Sequence, residues 1–153
     1  MKIFMRVVEL AHEASRRLIE ALGDRIAAIA LFGSWARGEA SSRSDVDFFV
    51  VVRNFNDRDR RFKIYHHLYN VFKCDVTIVD IDESSLFRDD LIITPILLNI
   101  AYDSIILYDP SGKLNELFKR IRKAAENNLE RYKTKNSKYG WKPKSKYFTT
   151  ITV

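Results

Sequence analysis

Two aspartates, Asp45 and Asp47, stand at the start of the most apolar stretch of the chain, which continues through residues 48–52. Side chains alternate along a β-strand, so a strand here places both carboxylates on the same side, close together. Two ionised carboxylates in that arrangement repel each other unless a cation lies between them. A hard divalent cation such as Mg²⁺ relieves the repulsion. The pair therefore predicts a Mg²⁺ site, the alternative being two solvated acids at an exposed strand end.

The order of apolar patterns predicts alternating helices and strands. Helical spacing is found at about residues 5–22, 57–72 and 113–131, with Asp57 as a cap, and one or two further helices begin or break at Pro95. Strands are predicted in RIAAIALFG, DVDFFVVV, CDVTIVDI and SIILYD. The expected fold class is α/β (α+β), a small mixed β-sheet flanked by helices.

A glycine turn, Gly33-Ser34, ends the first predicted strand. Backbone N–H groups at such a turn favour an anion, and glycine permits a phosphate to approach closely. Arg37, one turn further on, can neutralise a phosphate oxygen. The turn is not a Walker A loop, because Glu39 and Ala40 stand where that loop needs Lys and Ser or Thr. The dinucleotide fingerprint G-x-G-x-x-G is also absent. A large ring in such a turn is hard to bury, so Trp35 is expected to contact a partner or a base.

A third carboxylate would complete a two-metal site, and three candidates surround the third predicted strand. Asp75 begins an otherwise apolar strand and shares a face with Thr77. Asp80 and Asp82 are more typical of a strand end followed by a helix cap. Asp75 is therefore the favoured candidate, with Asp80 as the alternative.

This combination resembles the DNA polymerase β-type nucleotidyltransferase superfamily, most closely its minimal nucleotidyltransferase (MNT) branch. Gly33-Ser34 is followed after ten residues by Asp45-Val46-Asp47, with the sequence ARG at residues 36–38 between them. The signature covers residues 31–52, and the order of helices and strands extends the likeness to about residue 130. The resemblance implies the polymerase β-like palm fold.

The resemblance also implies a reaction. A nucleoside triphosphate, expected to be ATP, gives its nucleoside monophosphate to an acceptor and releases pyrophosphate, with two Mg²⁺ ions as cofactors. The protein mainly positions groups and neutralises developing charge. The implied catalytic and metal-binding residues are Asp45, Asp47 and Asp75, and the implied triphosphate-binding residues are Gly33, Ser34 and Arg37.

Many minimal members are encoded beside a HEPN-domain protein as toxin–antitoxin pairs, in which the nucleotidyltransferase is the antitoxin and can attach AMP to a tyrosine of its partner. The predicted function is therefore a Mg²⁺-dependent transferase that modifies a protein hydroxyl of a HEPN-type toxin. A non-catalytic binding antitoxin is one alternative. An RNA-directed nucleotidyltransferase that uses a basic tail is another, although 153 residues leave little chain to grip nucleic acid.

The positive charge is concentrated near the C-terminus. The net charge is +6, and residues 133–153 hold six lysines and no acid, so basic and acidic residues balance in the rest. We predict a nucleotidyltransferase domain at residues 1–132 and a basic C-terminal tail at residues 133–153. Such a tail either contacts nucleic acid or is a solvated terminus.

The expected location is the cytoplasm. The single cysteine, Cys74, cannot form an internal disulfide. No apolar stretch approaches the roughly 20 residues that span a bilayer, and the N-terminus lacks the features of a signal peptide. No membrane partner is expected, and a homo-oligomer is compatible with the sequence.

Overall fold

The computed structural model describes residues 2–72 and 74–146, which form six helices, one 3₁₀ turn and six strands. The helices are α1 (Lys2–Leu22), α2 (Gly33–Arg37), α3 (Arg60–Phe72), α4 (Glu83–Leu86), α5 (Pro95–Asp103) and α6 (Lys113–Asn128), with the 3₁₀ turn at Gly23–Arg25. The strands are β1 (Ile26–Phe32), β2 (Val46–Val52), β3 (Val76–Asp82), β4 (Ile105–Tyr108), β5 (Leu129–Lys133) and β6 (Tyr139–Pro143).

Four of the strands form the mixed sheet that the sequence predicts, in the order β3-β2-β1-β4. Strand β1 is antiparallel to both β2 and β4, whereas β2 and β3 are parallel. A parallel pair needs a crossover, and α3 provides it. The predicted fold class, a small mixed sheet flanked by helices, is confirmed.

Helices cover both faces of the sheet. On one face, Phe48 and Val50 of β2 pack with residues of α1 and α3 in one apolar cluster. On the other face, Phe49 and Val51 pack with residues of α5 and α6 in a second cluster. Strand β2 is therefore buried on both sides, which explains its continuous apolar run.

The C-terminal part of the described chain differs from the sequence prediction. Helix α6 ends at Asn128 instead of about residue 131, and β5 and β6 form an antiparallel hairpin. Leu129 is buried in β5, so its apolar side chain suits a strand as well as a helix. The predicted boundary between residues 132 and 133 falls inside β5, and the lysine-rich segment contains the last residue of β5 and the whole of β6. The rest of that segment, residues 147–153, lies outside the described residues.

Two helix starts are also defined by the structure. Helix α3 begins at Arg60 instead of about residue 57, and the Asp57 carbonyl accepts a hydrogen bond from the Arg60 N–H at 3.1 Å. Helix α5 begins at Pro95, as predicted, and the Thr94 hydroxyl caps it by accepting from the Leu97 N–H. Within residues 2–72 and 74–146, no helix combines the length and apolar character needed to cross a bilayer.

Candidate active site

The candidate site lies at one end of the sheet, where β1 ends and β2 and β3 begin. Phe32, the last residue of β1, is paired with Asp47 of β2, and Asp47 is paired with Thr77 of β3. Asp75 directly precedes β3, and its carbonyl accepts a hydrogen bond from the Val46 N–H at 3.0 Å. The antiparallel and parallel pairings thus bring the glycine turn, the acid pair and Asp75 to the same sheet end.

Gly33 begins α2 and lies against the Asp47 carboxylate. Its φ of +76° is in the left-handed region that favours glycine. A Cβ on residue 33 would collide with Oδ2 of Asp47, and it would lie only 3.0 Å from the carboxylate carbon. The absence of a side chain at residue 33 is therefore required for this approach of turn and carboxylate.

Asp47 carries the clearest electrostatic sign of a functional site. Burial, and to a smaller extent the neighbouring charge of Asp45, raise the pKa of its carboxyl from 3.8 to about 6, while Thr77 and Arg37 act in the opposite direction. Asp45 is exposed, and its Oδ2 accepts a hydrogen bond from the Thr77 hydroxyl at 3.3 Å. A half-buried acid held beside a second acid is the arrangement that a bound cation stabilises.

The donor chemistry at this sheet end suits Mg²⁺, since carboxylate oxygens are its preferred protein ligands and it needs only one or two of them. The cradle formed by Gly33 leaves the Asp47 carboxylate uncrowded by any side chain at that position. Within the described part of the chain, no three His, Cys, Asp or Glu side chains are grouped closely enough to hold an ion together. The fit therefore rests on the Asp45–Asp47 pair.

The two candidates for the third carboxylate have different surroundings. Asp75 is exposed directly before β3, and its backbone carbonyl binds the N–H of Val46, the residue between the two acids. Asp80 is paired in register with Val50, on the face covered by α1 and α3. Its side chain is only 5% exposed and accepts hydrogen bonds from Arg60 at 2.7 Å and Arg61 at 2.8 Å. These two arginines hold the pKa of Asp80 below its usual value, although burial acts the other way.

Arg37, at the end of α2, is bound by two carboxylates. Its Nη1 donates to Oδ2 of Asp103 at 2.9 Å, and its Nε approaches Glu39 Oε2 at 3.5 Å. Asp103 is also bound by Arg131, through hydrogen bonds of 2.8 and 2.7 Å. The arginine predicted to neutralise phosphate is thus tied to α5 and to the C-terminal hairpin.

Ser34 and Trp35, which follow Gly33 in α2, have separate surroundings. Ser34 follows Gly33 in α2, and its carbonyl accepts the Glu39 N–H at 2.9 Å, which closes the turn. Trp35 is half-buried against the cluster that contains α1 residues, and its indole N–H donates to the Ser44 carbonyl at 3.2 Å. The Trp35 ring therefore contributes to packing on this face of the sheet, and its contact with a partner or base stays a prediction.

Sequence reasoning missed several residues that surround the predicted ones. Thr77 lies two positions after Asp75, so the alternation of side chains along a strand predicts that both project from the same face. The position of Thr77 beside Asp45 is consistent with this spacing. Asp103 and Arg131 gave no such signal, because they lie 66 and 94 positions after Arg37 in unrelated elements. Their role depends on tertiary contacts.

The mixed sheet, with a glycine turn at the end of one strand and an acid pair at the start of the next, defines the class of nucleotidyl-transferring enzymes. The chain belongs to the polymerase β nucleotidyltransferase family: the family model described as "Polymerase beta, Nucleotidyltransferase" matches residues 16–111, more than half of the chain.

Two curated relatives from Methanocaldococcus jannaschii are similar to this chain. One, named "Putative protein adenylyltransferase MJ1215", is 29% identical over 79 residues, which cover 52% of this chain and 90% of that protein. The other, "Putative protein adenylyltransferase MJ0141", is 32% identical over 60 residues, which cover 39% of this chain and 61% of that protein.

Solved structures share the fold. One, described as a toxin-antitoxin with AMP-PNP, has a TM-score of 0.55 and 17% sequence identity, covering 76% of this chain and 87% of that chain. Another, the toxin-antitoxin MntA-HepT, has a TM-score of 0.50 and 18% identity, covering 78% and 87%. The predicted resemblance to the polymerase β-type superfamily and its minimal branch is confirmed, as is the prediction of a nucleotidyltransferase.

Proposed function

We propose that this protein is a Mg²⁺-dependent adenylyltransferase that moves AMP from ATP to a hydroxyl group of a HEPN-type toxin partner and so acts as an antitoxin. The observation that carries the proposal is the approach of the Gly33 turn to the Asp47 carboxylate, because the proposed triphosphate and metal sites then adjoin. The names of the curated relatives support protein as the acceptor, and the toxin-antitoxin neighbours support the partner.

In this proposal, the turn receives the triphosphate. The backbone at Gly33 and the Ser34 hydroxyl bind its phosphate oxygens, since glycine allows close approach and serine adds a donor. Arg37 adds positive charge near the turn, although it shares that charge with Asp103 and Glu39. The choice of ATP rests on the adenylyltransferase names of the curated relatives and on the resemblance.

The acid pair and Asp75 take the remaining roles. Asp45 and Asp47 would hold one Mg²⁺, and Asp75 would help to hold a second. When bound, Mg²⁺ neutralises charge on the phosphate oxygens. Asp75 helps to deprotonate the acceptor hydroxyl, whose oxygen forms a bond to the α-phosphorus. The bond from the α-phosphorus to the bridging oxygen of pyrophosphate breaks, and pyrophosphate leaves.

Label transfer to protein tests this proposal. Purified protein, Mg²⁺ and α-³²P-ATP are incubated in an extract of the source cells, with γ-³²P-ATP in parallel. The proposal expects a labelled protein band with the α label only. The double variant Asp45→Asn/Asp47→Asn should lose this label while keeping its circular dichroism spectrum.

A matched control removes two carboxylates elsewhere. Asp89 and Asp90 are an exposed acidic pair in the loop after α4, and Asp90 pairs only with exposed Arg88 in the described contacts. The variant Asp89→Asn/Asp90→Asn should label protein as the wild type does. Label in RNA would instead favour the RNA-directed alternative. If the Asp45→Asn/Asp47→Asn variant transfers no label but still protects against the toxin, the binding antitoxin would be favoured.

A further inference from the structure

The β5–β6 hairpin is joined to the end of α2 by a cluster of charged and aromatic side chains, which we call the hairpin network. The Tyr139 ring lies 4.0 Å from the Arg131 guanidinium carbon and 4.7 Å from that of Arg37. The Tyr139 hydroxyl donates to Glu39, just beyond α2, at 2.7 Å. One aromatic ring of β6 thus contacts both arginines and the segment that closes the turn.

Asp103 links the two arginines from α5. Its side chain is 4% exposed, and its Oδ2 accepts hydrogen bonds from Arg37 at 2.9 Å and from Arg131 at 2.7 Å. Both guanidinium groups bind this one buried carboxylate. Loss of Arg131 would therefore remove part of the ion pairing and hydrogen bonding that hold Asp103 and, through it, Arg37 in place.

A second set of contacts fixes Arg131 itself. Asn99 of α5 accepts hydrogen bonds from Arg131 at 3.2 Å and from the Trp141 indole N–H at 2.9 Å. The guanidinium carbon of Arg131 also lies 5.2 Å from the Trp141 ring. Each strand of the hairpin therefore contributes to holding Arg131 against α5.

Helix α2 needs such support because it has little of its own. It has five residues, its N-cap residue Phe32 makes no side-chain capping bond, and it begins and is followed by glycines with positive φ. So short a helix is marginal without tertiary contacts.

We propose that Arg131, Asp103 and Tyr139 are positioning residues, which hold Arg37 and through it the Gly33–Arg37 turn in the geometry that receives the triphosphate. The hairpin is then a working part of the nucleotide site, although it follows the region matched by the family model. The inference rests on the triphosphate site of the proposed function.

Amide hydrogen exchange tests the mechanical part of this inference. In Arg131→Met, exchange of the Gly38 and Glu39 amides, which close the turn, should accelerate about 10-fold or more because the turn opens more often. Exchange in β2 should stay unchanged, which shows that the fold is intact. The control Lys142→Met alters an exposed residue of β6 whose nearest acid, Glu130, is 3.9 Å away, and it should leave the turn amides as in the wild type. Asp103→Asn, which keeps the shape of the side chain, replaces Arg131→Met if that variant does not fold.

Nucleotide affinity tests the functional part. The dissociation constant of Mg²⁺–α,β-methylene-ATP, which cannot transfer AMP, is measured by calorimetry for Arg131→Met, Arg37→Met and the double variant. Each single change should weaken binding about 10-fold, and the double variant should be within about 2-fold of Arg37→Met, because Arg131 acts through Arg37. A purely structural hairpin would lower the melting temperature without this non-additive change in affinity.

Two outcomes overturn the inference. One is unchanged turn exchange in both Arg131→Met and Asp103→Asn, and the other is a nucleotide affinity of Arg131→Met equal to that of the wild type. If the wild-type protein binds no nucleotide, the proposed function fails, and the exchange comparison still decides whether the hairpin holds the turn.

Discussion

The Asp47 carboxylate lies against Gly33, at the place where a side chain on residue 33 would stand. The contact joins the end of β1 to the start of β2, which are paired through Phe32 and Asp47. Substitution of residue 33 is therefore unfavourable for two separate reasons: its positive φ, and the collision of a new side chain with the Asp47 carboxylate.

Gly33→Ala should therefore destabilise the protein and weaken nucleotide binding. Positive φ costs an L-residue about 1–2 kcal/mol, and displacement of Asp47 adds to this cost. We expect the free energy of unfolding in urea to fall by at least about 2 kcal/mol, and Mg²⁺–ATP affinity to fall at least about 10-fold.

Gly38→Ala is the matched control for this change. Gly38 has a φ of +73°, and a Cβ there would meet nothing within 4 Å. It should lose about 1–2 kcal/mol from backbone strain alone, with Mg²⁺–ATP affinity within about 2-fold of the wild type. Equal loss of affinity in both variants would contradict the role of the Gly33–Asp47 contact.

Asp47→Asn should stabilise the metal-free protein above pH 6. Because the pKa of Asp47 is raised from 3.8 to about 6, the folded state binds more protons than the unfolded state between these values. Stability due to this group is therefore present at low pH and is lost as pH rises through about 6. Full burial would make the shift worth about 3 kcal/mol, and solvent screening reduces the expected gain at pH 8 to about 1–2 kcal/mol.

Thermal unfolding in EDTA at pH 4 and pH 8 measures this effect. The melting temperature of Asp47→Asn should exceed that of the wild type at pH 8, and the two should converge at pH 4. Added Mg²⁺ should raise the wild-type melting temperature and leave the variant nearly unchanged. A lower melting temperature for the variant at pH 8 would show that the ionised Asp47 carboxylate does not destabilise the metal-free protein.

Asp75→Asn and Asp80→Asn should have opposite consequences. Asp75 is exposed, so its loss should change stability by less than about 0.5 kcal/mol and reduce label transfer at least about 100-fold. Asp80 is buried between Arg60 and Arg61, so its loss should cost about 1–3 kcal/mol and leave transfer by the folded protein near wild-type levels. Urea unfolding and label transfer check both. Loss of transfer only in Asp80→Asn would reverse the assignment of the third carboxylate.

Neutral substitutions at the hairpin tip should separate protein modification from RNA-directed activity. Lys135 and Lys138 are exposed between β5 and β6. In Lys135→Gln/Lys138→Gln, we expect label transfer to protein within about 2-fold of the wild type, because neither lysine side chain touches the turn or the acid pair in the described contacts. If transfer depends on RNA binding, each lost phosphate contact should make the plot of log binding constant against log salt concentration less steep by about one.

Deletion from residue 133 is unsuitable as a test, since it removes β6 and the Tyr139 contacts to Arg37 and Arg131.

The sequence allowed the sheet, the turn and the acid pair to be predicted because each depends on local spacing. Asp45 and Asp47 follow strand alternation, and the apolar run after them indicates a strand covered on both faces. The hairpin could not be predicted in this way. Buried Leu129 continues the apolar pattern of α6, so a helix and a strand were equally compatible with it.

The hairpin network was hidden for a different reason. Arg37 was readable as a cation one turn after a glycine, but its pairing with Asp103 joins residues 66 positions apart. Asp103 lies at the end of a mostly apolar helix and looks like an ordinary solvated acid in the sequence. Only the packing of α5 against α2 and the hairpin shows that it is buried between two guanidinium groups.

The hydrogen bond from Trp35 to Ser44 supplies the protein with its own optical probe. The indole belongs to the turn, and the carbonyl that it binds directly precedes Asp45, so the bond spans the two halves of the site. The sequence has two tryptophans, and the other, Trp141, lies in β6. Trp141 also donates to Asn99 in the hairpin network, so both tryptophans are kept. A shift in tryptophan emission on addition of Mg²⁺–ATP would record occupancy of the site without labelling either nucleotide or acceptor.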